Sequence, residues 1–481
     1  MLTLSQSPTG KDADPLIGGG QRIVLDQSKG RVLVVPGRST APQTVFNSVN
    51  ILIGIGLLAL PLAFSYSGWL IGILFMCCAA AITLYTAKTL ALCLDTDPTL
   101  VTYADIAYAA FGAPARVLTS LLFSLELLGA CVALVVLFAD SIYTLLPSFL
   151  SKNALKVLAF FILTPLSFLP LSILSFSSIL GIMSTFGLVV IVFIDGLIKT
   201  TQPGSLWHPM PSTIMPSNWK AVPLSLGLLM APWCGHSVFP NVYRDMRHPY
   251  KFQRCLNLSY VFTFLVDSAM AVLGLLMFGN EKVTEEITNT IMETAGYPRS
   301  LSVTIIILIA FIPLSKTPLN ARPIITTLEA WFGVADAPVP LQLVGGESDS
   351  LPSRHQSHQL FTFLRSAAFA RALICIFTNL IFVIIAILFP SFDRIMALVG
   401  SALGFTICIV LPLVFYLKIF GPSRTNRAYY ISPSGTTRPA ETVKELGMLE
   451  VAFDVFAIVC GFVLAVVGGV WALLPSKVIF G

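Results

Sequence analysis

Long apolar stretches alternate with shorter polar segments from about residue 44 to the end of the chain. A helix of about 20 mostly apolar residues crosses the hydrocarbon core of a bilayer. We count eleven such stretches and therefore predict an all-α integral membrane protein of about eleven transmembrane helices, with the lipid bilayer as its solvent. The predicted spans begin near Thr44, Trp69, Arg116, Ala154, Phe176, Ala221, Leu256, Leu301, Ala367, Ile395 and Met448.

Three polar segments interrupt this pattern. Residues 1–42 carry scattered charges and a run of glycines, and we predict a disordered cytosolic tail there, followed by a membrane domain over 43–481. Residues 332–365 and 421–446 are rich in proline, serine and charge, which is typical of loops. None of the three is large enough for a separate catalytic domain.

Composition and charge agree with a membrane protein. The chain is 56% hydrophobic and only 11% charged, with a mean hydropathy of +0.84. Most of its 29 Lys and Arg residues fall on one side of the predicted spans, so we expect a cytosolic N-terminus and, after eleven spans, a luminal C-terminus. The net charge of +5 is dispersed over these loops, and no nucleic-acid partner is implied.

The first span contains two glycines near its middle, Gly54 and Gly56. Glycine weakens a helix there and exposes peptide groups, which lipid tolerates only where the opened backbone lines a cavity or a bound solute. Alternatively, the glycines let a neighbouring helix approach closely. The first span alone leaves these two interpretations equally balanced.

The sixth span favours the first interpretation, because Pro232, Gly235 and Pro240 interrupt it. Breaks in spans one and six predict an inverted repeat of five plus five helices in a LeuT-like secondary transporter. The first repeat would cover 44–200, the second 221–420, and an extra helix 448–474. The predicted substrate-binding residues are those at the two breaks: Asn50, Ile51, Leu52, Ile53, Gly54, Ile55, Gly56, Trp233, Cys234, Gly235, His236 and Ser237.

Half-helix ends suit a zwitterion. Free N–H groups at a half-helix N-terminus donate hydrogen bonds to a carboxylate, and carbonyls at an opposing C-terminus accept them from an ammonium. We therefore predict an amino acid as the small-molecule substrate. His236 would line this pocket, relay a proton, or merely satisfy freed backbone carbonyls.

Ionisable side chains inside a membrane are costly and by default suggest a function. Glu126, Asp267 and Lys316 are the candidates for coupling transport to protons, and the Lys316 ammonium could stand where other carriers bind sodium. The alternative is a fixed ion pair or a side chain extended toward the interface.

Asp12, Leu16 and Ile17 in the tail resemble an acidic dileucine sorting signal that a cytosolic adaptor would read, which favours a vacuolar or lysosome-like membrane. The alternative is that this part of the tail is not a sorting signal.

Three segments resemble the amino acid/auxin permease family, and within it the fungal vacuolar amino acid transporters related to vesicular inhibitory amino acid transporters. They are residues 50–61, 231–252 and 319–323. The resemblance implies an eleven-helix carrier that moves neutral amino acids across the vacuolar membrane in exchange for protons. It also implies that 50–56 and 233–237 contact the substrate chiefly through backbone groups.

Other functions fit less well. The chain lacks a nucleophile elbow and a phosphate-binding loop, so we predict neither an enzyme nor an ATP-driven pump, and no cofactor. Its nine cysteines lack the paired loop spacing of a zinc site or a disulfide framework, so we predict no metal site. A transporter-like amino acid sensor and a sodium-coupled plasma-membrane permease remain alternatives.

Overall fold

The computed structural model describes residues 22–26, 31–35, 37–97, 99–146, 150–169, 171–334, 354–421, 429–431, 437–439 and 447–480. This part is almost entirely helical, which confirms the predicted all-α membrane fold. The helices are α1 (Ala41–Leu52), α2 (Leu60–Asp95), α3 (Tyr103–Phe111), α4 (Ala113–Leu145), α5 (Lys152–Leu166), α6 (Leu171–Ile198), α7 (Val222–Met230), α8 (Phe239–Asp245), α9 (Phe252–Lys282), α10 (Ile287–Glu293), α11 (Arg299–Trp331), α12 (Arg354–Leu388), α13 (Phe392–Leu398), α14 (Leu411–Phe420), α15 (Met448–Leu473) and α16 (Ser476–Phe480).

Shorter elements complete the described chain. Single 3₁₀ turns cover Ile55–Ala59, Trp219–Ala221, Ala231–Trp233 and Pro249–Lys251, and a π-helical segment, Val399–Val410, joins α13 to α14. Two antiparallel hairpins lie outside the helices, β1 (Arg22–Asp26) with β2 (Arg31–Val35) and β3 (Tyr429–Ile431) with β4 (Thr437–Pro439). The first hairpin and the start of α1 fall within the predicted tail 1–42, whose disorder stays a prediction.

Eight helices of the described chain are long and apolar enough to cross a membrane. Many large apolar side chains on their outer surfaces are exposed, as they are where a protein faces lipid. The predicted first and sixth spans are broken into shorter helices, and the fourth, α5, has only 15 residues. The count of eleven therefore stays a prediction, as do the bounds of the two repeats.

Gly68 separates the second half of the first span from the second span. Its φ of 70° lies in the left-handed region, which L side chains rarely adopt. A Cβ there would also lie 2.7 Å from the carbonyl oxygen of Ile214. The chain bends at this glycine, one residue before the predicted start of the second span at Trp69.

The central helices pack α2 against α9, α1 against α9, and α11 against both α4 and α6. Two broken segments, 53–59 and 231–238, lie within this core. The fold therefore places the interrupted backbone among buried side chains and away from lipid.

At the predicted cytosolic side, the residues before α1 are bonded to the end of α8. The Ser39 amide donates to the Asp245 carbonyl at 2.8 Å, and the Arg247 amide donates to the Ser39 carbonyl at 2.8 Å. The buried Arg244 guanidinium donates to the carbonyls of Leu94, Leu100 and Asp97 at 2.6, 2.7 and 2.8 Å. These bonds connect the segment after the sixth-span break to the C-terminal end of α2.

Candidate functional site

The first span is interrupted after Leu52, as predicted. Ile53 and Gly54 are extended, and a 3₁₀ turn over Ile55–Ala59 leads into α2. The two glycines play different parts, because a Cβ on Gly54 would meet only the Leu52 carbonyl oxygen at 3.9 Å. A Cβ on Gly56 would lie 3.1 Å from the Pro232 nitrogen. Gly56 thus permits close approach of the sixth span, whereas Gly54 borders open space.

The sixth span is interrupted between α7 and α8. A 3₁₀ turn, Ala231–Trp233, ends at the extended Cys234, and α8 begins at Phe239. A Cβ on Gly235 would lie 2.7 Å from a methyl of Ile51, so the two breaks are in direct contact. Both predicted discontinuous helices are therefore present.

The breaks leave backbone amides without acceptors. In the part of the chain that the structure describes, the N–H groups of Gly54, Gly235 and Ser237 donate to no backbone carbonyl. Buried backbone groups are rarely left in this state unless water or a ligand completes them. Together they form a set of donors suited to an anionic group.

Lys316 lies at the first break. Its Nζ donates to the carbonyl oxygens of Asn50 at 3.1 Å and Ile53 at 2.5 Å, the carbonyls freed where α1 ends. Among the described residues, no carboxylate forms an ion pair with it. Backbone carbonyls, rather than a carboxylate, therefore hold the Lys316 ammonium in this structure. The ammonium also occupies two carbonyls that were available to a substrate ammonium.

Glu126 of α4 and His236 join the sixth-span break to its neighbours. The buried Glu126 accepts the Ser237 hydroxyl hydrogen bond at 3.0 Å through Oε2. His236 Nε2 lies 3.0 Å from the Thr83 carbonyl oxygen. A carbonyl oxygen can only accept a hydrogen bond, so Nε2 is the donor and carries the proton. His236 satisfies a carbonyl of α2, which favours the structural interpretation of this residue.

Asp267 of α9 is fully buried, and within the described residues neither of its carboxylate oxygens has a hydrogen-bond partner. Thr263, one turn earlier, also has an unpartnered hydroxyl. The structure shows no direct bond among Glu126, Asp267 and Lys316. The three predicted coupling residues thus occupy separate places in the core, and their coupling roles stay predictions.

Comparison with known proteins identifies the family. The transmembrane amino acid transporter protein family matches this chain over residues 37–434. The chain belongs to this family. Its transporter membership confirms the resemblance seen in the sequence and excludes an enzyme as its class.

Several amino acid transporters are similar along most of their length. Amino acid transporter AVT1I of Arabidopsis thaliana is 28% identical over 80% of this chain and 87% of its own. AVT1H from the same plant is 30% identical over 78% and 81%. The vesicular inhibitory amino acid transporter of Xenopus tropicalis is 25% identical over 79% and 70%.

Solved transporters share the fold at low identity. Mhp1, a nucleobase-cation-symport-1 family transporter, matches in its inward-facing conformation with a TM-score of 0.55 and 13% identity, over 94% of this chain and 92% of its own. A Na⁺-coupled sialic acid symporter matches with a TM-score of 0.51 and 15% identity, over 92% and 91%. These likenesses confirm the LeuT-like fold of this amino acid transporter.

The structure adds residues to the site that the sequence did not single out. Tyr260 of α9 stacks on Trp233 with ring centroids 5.6 Å apart and planes 16° from parallel. Thr86 of α2 contacts His236 Nε2 at 2.9 Å and donates to the Cys408 carbonyl at 2.7 Å. Thr83 and Thr86 are polar residues inside an apolar span, a signal that could have marked the helix face toward the break.

The predicted sorting residues Asp12, Leu16 and Ile17 lie outside the described residues.

Proposed function

We propose that this amino acid transporter exchanges neutral amino acids for protons across a vacuolar or lysosome-like membrane, by alternating access around the two helix breaks. The position of the Lys316 ammonium against the Asn50 and Ile53 carbonyls carries the proposal. In transporters of this fold, carbonyls at a half-helix C-terminus coordinate the coupling cation. Here a side-chain cation makes those contacts.

Because the Lys316 ammonium is covalently attached, the ion that can be coupled to transport is a proton rather than sodium. A sodium ion leaves such carbonyls by diffusing away, whereas Lys316 loses its charge only by releasing a proton. The carbonyls that hold it belong to the first-helix break, so proton release and movement of that break would be linked. This supports proton coupling over the sodium-coupled alternative.

The substrate fits the rest of the site. The amides of Gly54, Gly235 and Ser237, which donate to no backbone carbonyl, offer donors to an α-carboxylate without a dedicated arginine. The neighbouring side chains at the first break, Ile51, Leu52 and Ile53, are apolar. Such surroundings favour a neutral amino acid, because a charged side chain would lack a partner there.

The distribution of charge in the loops and the sequence of the tail support the proposed membrane and orientation. Basic residues concentrate on the side of the N-terminus, which supports a cytosolic N-terminus and a luminal C-terminus. The Asp12, Leu16 and Ile17 pattern then lies where a cytosolic sorting adaptor reads it. An acidic lumen would supply the proton gradient for antiport.

Purified protein in sealed liposomes, with a pH dye inside and no sodium in any buffer, tests the proposal. With an acidic interior, an externally added neutral amino acid should enter and raise the internal pH, whereas a charged amino acid should do so much less. Uptake that is absent in these buffers and appears only when sodium is added would favour the permease alternative. Binding without uptake would favour the sensor alternative, and either result would overturn proton antiport.

A further inference from the structure

Three side chains with metal-binding chemistry meet beside the sixth-span break. A carboxylate oxygen of Glu126 and the thiol sulfurs of Cys234 and Cys408 all lie within 4.8 Å of one another. They come from three elements: α4, the extended turn after Ala231–Trp233, and the π-helical segment Val399–Val410. Their wide separation along the chain is why cysteine spacing predicted no metal site.

The donor set suits a borderline or soft divalent ion. Zinc takes thiolate sulfur at about 2.3 Å and carboxylate oxygen at about 2.0–2.2 Å, usually in tetrahedral geometry. Its ligand atoms then lie roughly 3.4–3.8 Å apart, so the cluster would contract by at most about 1.5 Å to close on the ion. Cys234 sits in the extended turn rather than inside a helix, so it is placed to make that adjustment.

Glu126 supplies independent support for a ligand. Its side chain is 5% exposed, and Oε1 has no hydrogen-bond partner among the described residues, while Oε2 is held by Ser237. A buried, unpartnered carboxylate oxygen is costly unless a cation or a donor completes it. A metal ion bound at Glu126 Oε1 would supply the partner that this oxygen lacks.

The surroundings leave room for the thiols. A Cβ on Gly404 would lie 2.7 Å from Cys234 Sγ, so the glycine leaves space for the sulfur in its present position. Cys234 is half-buried, whereas Glu126 and Cys408 are buried, which leaves one ligand accessible. Three protein ligands leave the fourth position of a tetrahedral ion for water.

We propose that Glu126, Cys234 and Cys408 bind a thiolate-preferring divalent cation of the zinc class and that the bound ion inhibits transport. Binding replaces the two thiol protons, which are released to solvent, so two thiolates balance the ion's charge and Glu126 donates the third ligand bond. The ion fastens the sixth-span break to α4 and to the π-helical segment. Alternating access requires this break to move against its neighbours, so the bound ion holds one conformation.

Cadmium binding to the full-length purified protein tests the site independently of transport. A background with the exposed Cys77 and Cys78 replaced by serine removes two unrelated thiols. In that background, Cd²⁺ should produce a thiolate charge-transfer absorption band at one ion per chain. Cys408→Ser should weaken Cd²⁺ binding at least tenfold, and Glu126→Gln should weaken it to a smaller extent.

Cys131→Ser is the matched control, because Cys131 is a buried cysteine of α4 outside the cluster. It should bind Cd²⁺ like the background protein. In liposomes, Zn²⁺ should inhibit amino acid flux in the background and in Cys131→Ser, and much less in Cys408→Ser, each compared with its own metal-free rate. If Cys408→Ser does not fold, Cys408→Ala replaces it. Unchanged Cd²⁺ binding in the Cys408 variant, or equal loss in Cys131→Ser, would overturn the site whether or not transport is proton-coupled.

Discussion

Gly54 and Gly56 are two residues apart in the same broken helix, yet we expect alanine at the two positions to have different effects. At Gly56, an added Cβ would lie 3.1 Å from the Pro232 nitrogen, 3.2 Å from its Cδ and 3.3 Å from the Ala231 carbonyl carbon. Carbon atoms in ordinary contact are about 3.5–4.0 Å apart. The methyl would therefore press on two atoms of Pro232 and on the carbonyl carbon of Ala231, none of which can rotate away.

Overpacking of this kind costs about 1–3 kcal/mol. The free energy of unfolding of Gly56→Ala should fall by that amount, a factor of roughly 5–150 in the equilibrium. At Gly54 the backbone is extended with φ of −129°, and the nearest atom to an added Cβ is 3.9 Å away. Gly54→Ala should keep or raise stability, by up to about 1 kcal/mol through the less flexible unfolded chain.

In the transport assay, Gly54→Ala should change substrate affinity even though its stability is retained. The Gly54 methyl would project into the space beside the unpaired amides, so Gly54→Ala should raise the KM for the amino acid several-fold while the protein stays folded. Thermal unfolding in detergent and initial-rate uptake in liposomes measure the two quantities. Equal melting temperatures for both variants, or a destabilised Gly54→Ala with a normal KM, would refute the assignment of Gly56 to packing and Gly54 to the site.

Two further predictions concern parts outside the helix breaks. Arg244→Met should lower the free energy of unfolding by at least about 3 kcal/mol, taking about 1 kcal/mol for each of three carbonyls left without a donor. The exposed Arg247→Met is its control in a thermal unfolding assay, and equal melting temperatures would contradict the capping role. Burial, followed by the charge of Asp140, holds the pKa of the Glu286 carboxyl in the loop before α10 well above its usual value of 4.5. The folded protein therefore retains this proton more tightly than the unfolded chain does. The free energy of unfolding should fall as the pH rises above 4.5, the usual pKa of a glutamate. Glu286→Gln should flatten the decline in melting temperature between acidic and neutral pH, whereas exposed Glu281→Gln should not, and identical slopes would refute the assignment.

The helix breaks were predictable because glycine and proline act on the backbone where they stand. Gly54 lacks a Cβ and Pro232 lacks an N–H whatever surrounds them, so their presence in spans one and six together indicated interruption. The distinct parts of Gly54 and Gly56 were not predictable in this way. They depend on which atoms of the sixth span lie opposite each glycine.

The contacts of the ionisable residues also required the structure. Glu126 and Ser237 are 111 residues apart, and Lys316 and Ile53 are 263 apart. Hydropathy marked Glu126 and Lys316 as unusual because charges are rare within spans. It did not indicate their partners, since a long apolar helix carries little sign of which face packs against which neighbour. Cys408 escaped notice for the same reason.

The most direct test of the central claim is proton movement by Lys316→Met. Lys156→Met is a matched control, because Lys156 is also a buried lysine that donates to a backbone carbonyl, that of Ala386 at 2.8 Å, but away from the breaks. Amino acid flux and internal pH should be recorded together in sodium-free liposomes. We expect Lys156→Met to retain a fixed ratio of protons to amino acid. Lys316→Met should lose the dependence of amino acid flux on the pH gradient. Wild-type coupling in Lys316→Met would contradict the assignment of the coupling cation to Lys316.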